Sequence, residues 1–579
     1  MYIVPIGEQF VFSAELFIDW KVLLPPINKR YVHLGVYSTE DALFSNTVTL
    51  YGFHAWLTNN FPMLEKLGNV SAHVDHDCQS CLRFDEDKKE YFMASEASGL
   101  SQPVPRAGST GAAIVARQDR IPVWSLSYLF IGIIGAGFLF TFFDIFDINV
   151  SFVQTCIALV SGCTPLNAAN SLGLPLLLNL SGYVVGALLL APLADRFGRR
   201  DMLLITLLIT GIGSLYNALV GDYTGFVIAR TITGIGVGAD LALVASYIGE
   251  VAPSNGRAKY TSMIFIMSAL GSFLGIWLGL LLTTPATPFP LGLPFAVAGP
   301  AFADGWRWMY GIGALLALVG IILRFQLPES PRWLVSRGRI EEAEKVVSAM
   351  EHHALRHISQ LPPIGSELAA STSMTGATYA EILGNPLYLR RTIILLLMWF
   401  ISFITVYGIG AGLTTVLTSL KYPLPEAGLI AAFGTFGFIA VALFAYAYGE
   451  TLERKYWLPI SAVLTIIGGL IIALSGTGNF AFAAIGSFIL FIGFNLFVPM
   501  CWAWSAENYP TRARATGFAL VDGIGHIGGG VGILVIAPLI PTLGPIVTFL
   551  IFGGFLVVSS VVAQFGISTR DKRLDEVSP

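Results

Sequence analysis

The chain has 579 residues, of which 54% are hydrophobic and only 12% charged, and its mean hydropathy is +0.70. Soluble domains carry roughly twice that charge fraction, so a string of soluble domains is excluded and apolar runs long enough to cross a bilayer are expected. The formal net charge of −4 gives no electrostatic footprint for a nucleic-acid partner.

Residues 1–122 are mixed in character, contain no spanning run and read as a cytosolic extension, with the Ser-, Gly- and Pro-rich stretch 94–106 as a linker. The opening MYIVPIGEQF lacks the basic and apolar pattern of a cleavable signal peptide. Five cysteines, Cys78, Cys81, Cys156, Cys163 and Cys501, are too scattered for a disulfide framework. His73, His76, Cys78 and Cys81 are a ligand set that zinc can use, although the histidines are too close for an ordinary finger. The other reading of this stretch is a polar surface loop. No cofactor is expected.

Twelve apolar runs follow, each predicted to be a helix because a chain in lipid must satisfy its own backbone. The first six are expected near 124–148, 174–194, 202–220, 225–248, 260–283 and 308–325. The second six fall near 391–415, 426–448, 457–475, 479–504, 515–539 and 545–565. Two six-helix halves, 123–326 and 391–566, thus flank a linker at 327–390, and 567–579 forms a tail. Within the linker, Ile340 to Met350 has the charge and alanine content of a short surface helix. Basic residues alternate with each crossing: Arg196, Arg199 and Arg200 after run two, Arg257 and Lys259 after four, Arg454 and Lys455 after eight, Arg512 and Arg514 after ten. Lys421 is the clear exception. The positive-inside rule therefore predicts both termini in the cytoplasm, with the cell membrane the expected location.

The motifs carry a family resemblance. Ala191-Pro-Leu-Ala-Asp195-Arg196-Phe-Gly198-Arg199-Arg200 resembles the signature loop of the major facilitator superfamily, with alanine in place of its first glycine. Arg230-Thr-Ile-Thr-Gly234-Ile-Gly236-Val-Gly238 resembles the family's fourth helix, and Pro328-Glu329-Ser330-Pro331-Arg332-Trp333-Leu334 matches the sugar-porter motif. Glu507-Asn-Tyr-Pro-Thr511-Arg512-Ala-Arg514 resembles its second-half counterpart. LADRFGRR after run two is faintly repeated by GETLERKYW after run eight. The resemblance implies an all-α membrane fold and transport by alternating access. It also implies a cytoplasmic gate of Asp195, Arg196, Gly198, Arg199, Arg200, Glu250, Glu329, Arg332, Glu507, Arg512 and Arg514, with ion pairs reaching the facing half.

The glutamines with which sugar porters hold hydroxyls are missing: the position in run five is apolar near Phe265, and run seven has none. Phe143-Asp144-Ile-Phe-Asp147 resembles the paired aspartates of phosphate and organic-acid proton symporters, but the aspartate these have in run seven aligns with Phe403. A small organic solute, an organic acid among the choices, is the expectation. Ionisable groups at membrane depth cost at least about 2.5–3.5 kcal/mol and ask for a function. Asp144, Asp147, Arg230, Asp240, Asp522 and His526 meet that description, and Asn495, Trp502 and Trp504 are candidates to line the path. Asp144 and Asp147 share a helix face, where two like charges favour one shared proton; the alternative is a solvated Asp147 at the helix end. Asp240 is favoured as a proton carrier over an ion-pair partner. Asp522 and His526 form an i, i+4 pair.

The reading is a monomeric proton symporter of a small organic solute in a lipid bilayer. Two others stay open: an uncoupled facilitator of a sugar-like solute, and a non-transporting sensor on the same scaffold. No nucleophile with an oriented base and no phosphate-binding loop points to an enzyme.

Overall fold

A computed structural model of the chain describes residues 2–6, 9–16, 32–35, 83–85, 90–92, 111–253, 257–297, 303–364, 379–510 and 513–570. The possible zinc ligands His73, His76, Cys78 and Cys81, and Arg512 of the expected gate, lie outside these residues. The chain divides into two units, Met1–Val104 and Pro105–Pro579. In the first, strands β1 (Tyr2–Ile6), β2 (Gln9–Leu16) and β3 (Val32–Gly35) form an antiparallel sheet in which Val4 faces Val11 and Ala14 faces Leu34. A second antiparallel pair joins β4 (Arg83–Asp85) and β5 (Glu90–Phe92).

The second unit is helical. Helix α1 (Gly111–Asp119) precedes the first span, which is built of α2 (Tyr128–Phe146) and α3 (Ile148–Leu159). The remaining spans of the N-terminal half are α4 (Ala169–Val185, extended by irregular helix to Phe197), α5 (Arg199–Leu219), α6 (Tyr223–Val251), α7 (Arg257–Thr283) and α8 (Gly305–Arg324). Linker helices α9 (Pro331–Ser336) and α10 (Ile340–Ala354) follow, the second where the sequence predicts a surface helix. The C-terminal half comprises α11 (Pro386–Gly410) with α12 (Leu413–Ser419), α13 (Leu424–Tyr448), α14 (Trp457–Ser475), α15 (Phe480–Leu496) with α16 (Val498–Glu507), α17 (Arg514–Ile536) and α18 (Ile540–Gln564).

Eleven helical stretches among the described residues are long and apolar enough to cross a membrane, and the last of them, Thr516–Gln564, is 49 residues long. A 3₁₀ turn at Ala537–Leu539 and a non-helical Gly544, φ 71°, divide it into two crossings. Twelve spans result, as the sequence predicts. Capping side chains fix several starts: Asp222 Oδ1 accepts the Gly225 N–H at 2.9 Å, and Asn385 Oδ1 accepts that of Leu387 at 3.0 Å.

Two expectations are corrected. The first span does not stop near 148: α3 carries it on to Leu159. Polar residues at 144–154 look like a helix leaving the membrane, yet Asp147, Asn149 and Ser151 are each fully buried by partners from other helices. Cys156 and Cys163 are also bonded to each other, so a single disulfide closes the turn after α3 despite the scattered cysteine pattern.

The halves meet along two seams, α4 against α17 and α7 against α13. Within the N-terminal half the glycine-rich fourth span makes the close contacts that its sequence suggests. A Cβ on Gly234 would lie 1.9 Å from the Asn179 carbonyl oxygen of α4. Helix α1 packs on α9 and α10, where Ile114 is buried with Trp333, Leu334, Ala343 and Val347. A boundary at 122 thus leaves in the extension a helix that packs with the linker.

Candidate transport site

The intramembrane aspartates singled out from the sequence fall into three groups of polar side chains. The first joins α2, α3 and α6. The Arg230 guanidinium, wholly buried, sits 3.3 Å from Asp147 Oδ1 and 3.6 Å from Asp144 Oδ2, and its Nη1 also donates to the Asp144 backbone carbonyl at 3.1 Å. Ser214 Oγ donates to Asp144 Oδ1 at 2.5 Å. Oδ2 of both aspartates is buried without a hydrogen-bond partner. Two buried carboxyl groups therefore face one buried guanidinium. Asp147 is not solvated at a helix end; it is 0% exposed.

Asp240 belongs to a different cluster. Arg324 of α8 reaches it with both terminal nitrogens, Nη2 to Oδ2 at 3.0 Å and Nη1 to Oδ1. Thr206 and Thr141 donate to the same carboxylate at 2.8 and 3.3 Å. A carboxylate with a bidentate guanidinium and two hydroxyl donors has its charge compensated in place. Arg324 is not among the residues singled out from the sequence, although its charge lies inside the predicted sixth run.

The third group bridges the halves. Asp522 of α17 accepts the Tyr183 hydroxyl of α4 at 2.7 Å and the Trp502 indole N–H at 3.0 Å. His526 Nδ1 donates to the Asp522 carbonyl at 2.6 Å and lies 3.7 Å from its carboxylate. Its ring stacks on Tyr183 at 3.9 Å and meets Phe403 at 4.1 Å, while Phe265 packs edge-on to Trp502 at 5.0 Å. Phe265 and Phe403, where the resemblance implies polar residues in other porters, thus lie in two ring groups joined through Asp522. Asn495 is half-buried on α15. Trp504 is turned away, donating to the Ile567 carbonyl at 2.9 Å. Between the α3 and α11 spans, Asn149 donates to the Gly410 carbonyl and accepts from Thr414, both at 2.6 Å, tying the halves at the end remote from the arginine-rich loops.

At the arginine-rich end the expected gate residues form two matching clusters. Arg199 binds Asp195 Oδ1 at 2.6 Å and Glu250 Oε1 at 3.0 Å. Arg454 binds Glu450 at 2.7 Å and Glu507 at 3.2 Å. The faint repeat in the sequence is thus a repeated ion-pair device. Each arginine takes one acid four residues earlier and one at the end of its half's fourth span. Gly198 takes φ 108°, and a Cβ there would lie 2.4 Å from Glu329 Oε2. Glu329 accepts the backbone N–H groups of Ser330 at 2.8 Å, Arg199 at 3.0 Å and Arg200 at 3.2 Å; burial nevertheless pushes its pKa up. Arg332 pairs with Asp119 of α1, Arg514 Nε donates to the Ala506 carbonyl at 3.2 Å, and Arg196 is exposed. Among the described residues, the Arg199 pairs lie within the N-terminal half and the Arg454 pairs within the C-terminal half.

Residues 128–578 match the family described as "Sugar (and other) transporter". The chain belongs to that family. It is an integral membrane transporter of the major facilitator type. It is 25% identical over 483 residues to the niacin transporter NiaP of Acinetobacter baylyi, covering 80% of this chain and 99% of the relative. It is 27% identical to a D-xylose transporter of Levilactobacillus brevis, covering 69% and 84%. In fold it is similar to the xylose transporter XylE from E. coli in a partially occluded inward open conformation, with a TM-score of 0.59 and 22% identity over 77% of this chain and all of that one.

Proposed function

We propose that this transporter is a proton symporter of a small, ring-bearing organic solute, with both termini cytoplasmic. The observation that carries the coupling is the buried set of Asp144, Asp147 and Arg230, in which two carboxyl groups face one guanidinium. Taking up one proton neutralises the set, and losing it frees a charge that Arg230 must compensate alone. That difference biases the two arrangements of an alternating-access cycle. Asp240, already matched by Arg324, serves as one half of a structural pair.

The solute site is the bridge between halves around Asp522, His526 and Tyr183. A wall of imidazole, phenol and phenyl rings favours a planar ring over a hydroxyl-rich sugar, and the relative named for niacin transport fits that chemistry. Orientation rests on the basic loops and on the Cys156–Cys163 disulfide at the opposite end, because disulfides persist on the oxidising side of a membrane.

The test is uptake into proteoliposomes with a pH indicator, offering aromatic acids, aliphatic acids, sugars and phosphate in turn. An aromatic acid is expected to enter together with protons. Asp147→Asn is expected to abolish accumulation driven by a pH gradient while leaving exchange of solute across the membrane at a third or more of its rate. Undiminished accumulation in that variant rules out the proton site; sugar uptake alone rules out the solute class.

A further inference from the structure

One buried carboxylate has no part in the cycle above. Glu426 lies in the first turn of α13, at the end of the bundle remote from the arginine-rich loops. It is 1% exposed, and neither carboxylate oxygen has a hydrogen-bond partner. Among the described residues no arginine, lysine or histidine pairs with it. A buried acid left in this way is costly unless something else supplies the positive charge.

Glu426 lines a cavity of about 800 Å³, within the size range of small-molecule pockets. The cavity lies between α13, α15 and the loops that carry Phe289 and Thr477. Five phenylalanines line it. The Phe480 ring stands 5.7 Å from Phe289 and 5.7 Å from Phe433, and Phe433 stands 6.0 Å from Phe436. Among the described residues, Glu426 is the one charged residue in the lining. The faces of phenyl rings attract cations within about 6 Å, and a cation bound there would bring the positive charge that the buried Glu426 carboxyl lacks. An anion is repelled there, so this is not a second site for an acidic solute.

We propose that the cavity is a separate binding site for a small organic ammonium ion with an apolar body, with Glu426 as its counter-ion and the phenylalanines as its cage. The site is distinct from the Asp522 group. It abuts the seam between the halves, since Phe433 lies 5.8 Å from Trp277 of α7.

Phenyltrimethylammonium is a suitable probe, titrated calorimetrically into the full-length protein in maltoside micelles, which carry no ammonium headgroup. One saturable equivalent is expected, with affinity at least tenfold higher than that of the neutral isostere tert-butylbenzene. Glu426→Gln is expected to weaken binding at least tenfold. Ala484→Trp, which fills the cavity without altering the carboxylate, is expected to do the same. Absence of saturable binding to the wild type, equal affinity for cation and isostere, or equal affinity of the wild type and Glu426→Gln each overturns the proposal. Should Glu426→Gln not assemble, the isostere and Ala484→Trp decide: unchanged binding in Ala484→Trp places the probe elsewhere.

Discussion

The two six-helix halves repeat one fold but handle charge differently. Deep in the N-terminal half lie Asp144, Asp147, Arg230, Asp240 and Arg324, wholly or almost wholly buried and held in two ion-pair clusters. In the C-terminal half the spans carry no lysine or arginine away from their arginine-rich end, and Asp522 is bound by a phenol, an indole and an imidazole. The first half sets its acids against fixed guanidinium partners. The second sets Asp522 among rings where it meets Tyr183 of the other half. The proposed symport assigns the proton to the first arrangement and the solute to the second, and Tyr183 connects the two by reaching from α4 to Asp522.

The comparison breaks most visibly at Arg324. Removing one partner of a buried ion pair leaves a naked charge and costs about 3–5 kcal/mol, whereas removing both costs far less. Arg324→Met is therefore expected to lower the thermal midpoint sharply and to reduce the amount of folded protein. Adding Asp240→Asn to it is expected to recover more than half of the loss. If the single variant melts like the wild type, Asp240 is not a structural ion and returns as a candidate for the proton.

A smaller effect is expected at Asp522. Hydrogen bonds to a charged group are worth about 1.5–3 kcal/mol, so with the solute site as proposed, weakening those that hold Tyr183 and Trp502 in place is expected to lower solute affinity roughly tenfold or more. Asp522→Asn is expected to raise the KM of uptake by that factor and to leave its pH dependence where it was. A moved pH profile would mean that the C-terminal half also carries the proton, and the division of labour would fail.

Much of this was legible before any coordinates. Twelve runs and the alternating basic loops require only hydropathy and counting, and Asp144, Asp147 and Arg230 stand out as charges inside apolar sequence. What could not be read is pairing over distance. Arg324 sits at the edge of its run, and nothing local shows that its acid is 84 residues away. Tyr183 looks like packing in an apolar helix until α17 is placed beside it. The continuation past Asp147 was hidden for the same reason: polar residues signal a helix end unless other helices supply their partners. Cys156 and Cys163 needed the turn after α3 to bring them together. Glu426 drew no notice at the head of its run, where a charged residue is ordinary.

The halves also differ in how their arginine-rich clusters are fastened, and here the expected effect is smallest. The C-terminal cluster is held by the end of the helical unit, with Thr569 donating to Glu507 at 2.5 Å and Lys455 to the Gly566 carbonyl at 2.9 Å. The N-terminal half is held instead by α1, whose Arg117, with Arg120 just beyond it, binds Glu351 of α10 at 2.6 Å each. Burial opposes ionisation of Glu351, but the hydrogen bonds from Arg117 and Arg120 outweigh it and bring its pKa below the ordinary value. A carboxyl group with a depressed pKa adds stability above its unfolded pKa, about 4.3, and loses it as the pH falls through the folded value. The pair is partly open to solvent, so its contribution at pH 7 is no more than about 1 kcal/mol. Glu351→Gln should accordingly melt slightly below the wild type at pH 7, and the gap should close as the pH is taken below about 4. A gap that persists in acid assigns the loss to packing of α1 on α10, and the two halves would then be fastened by contact in one case and by charge in the other.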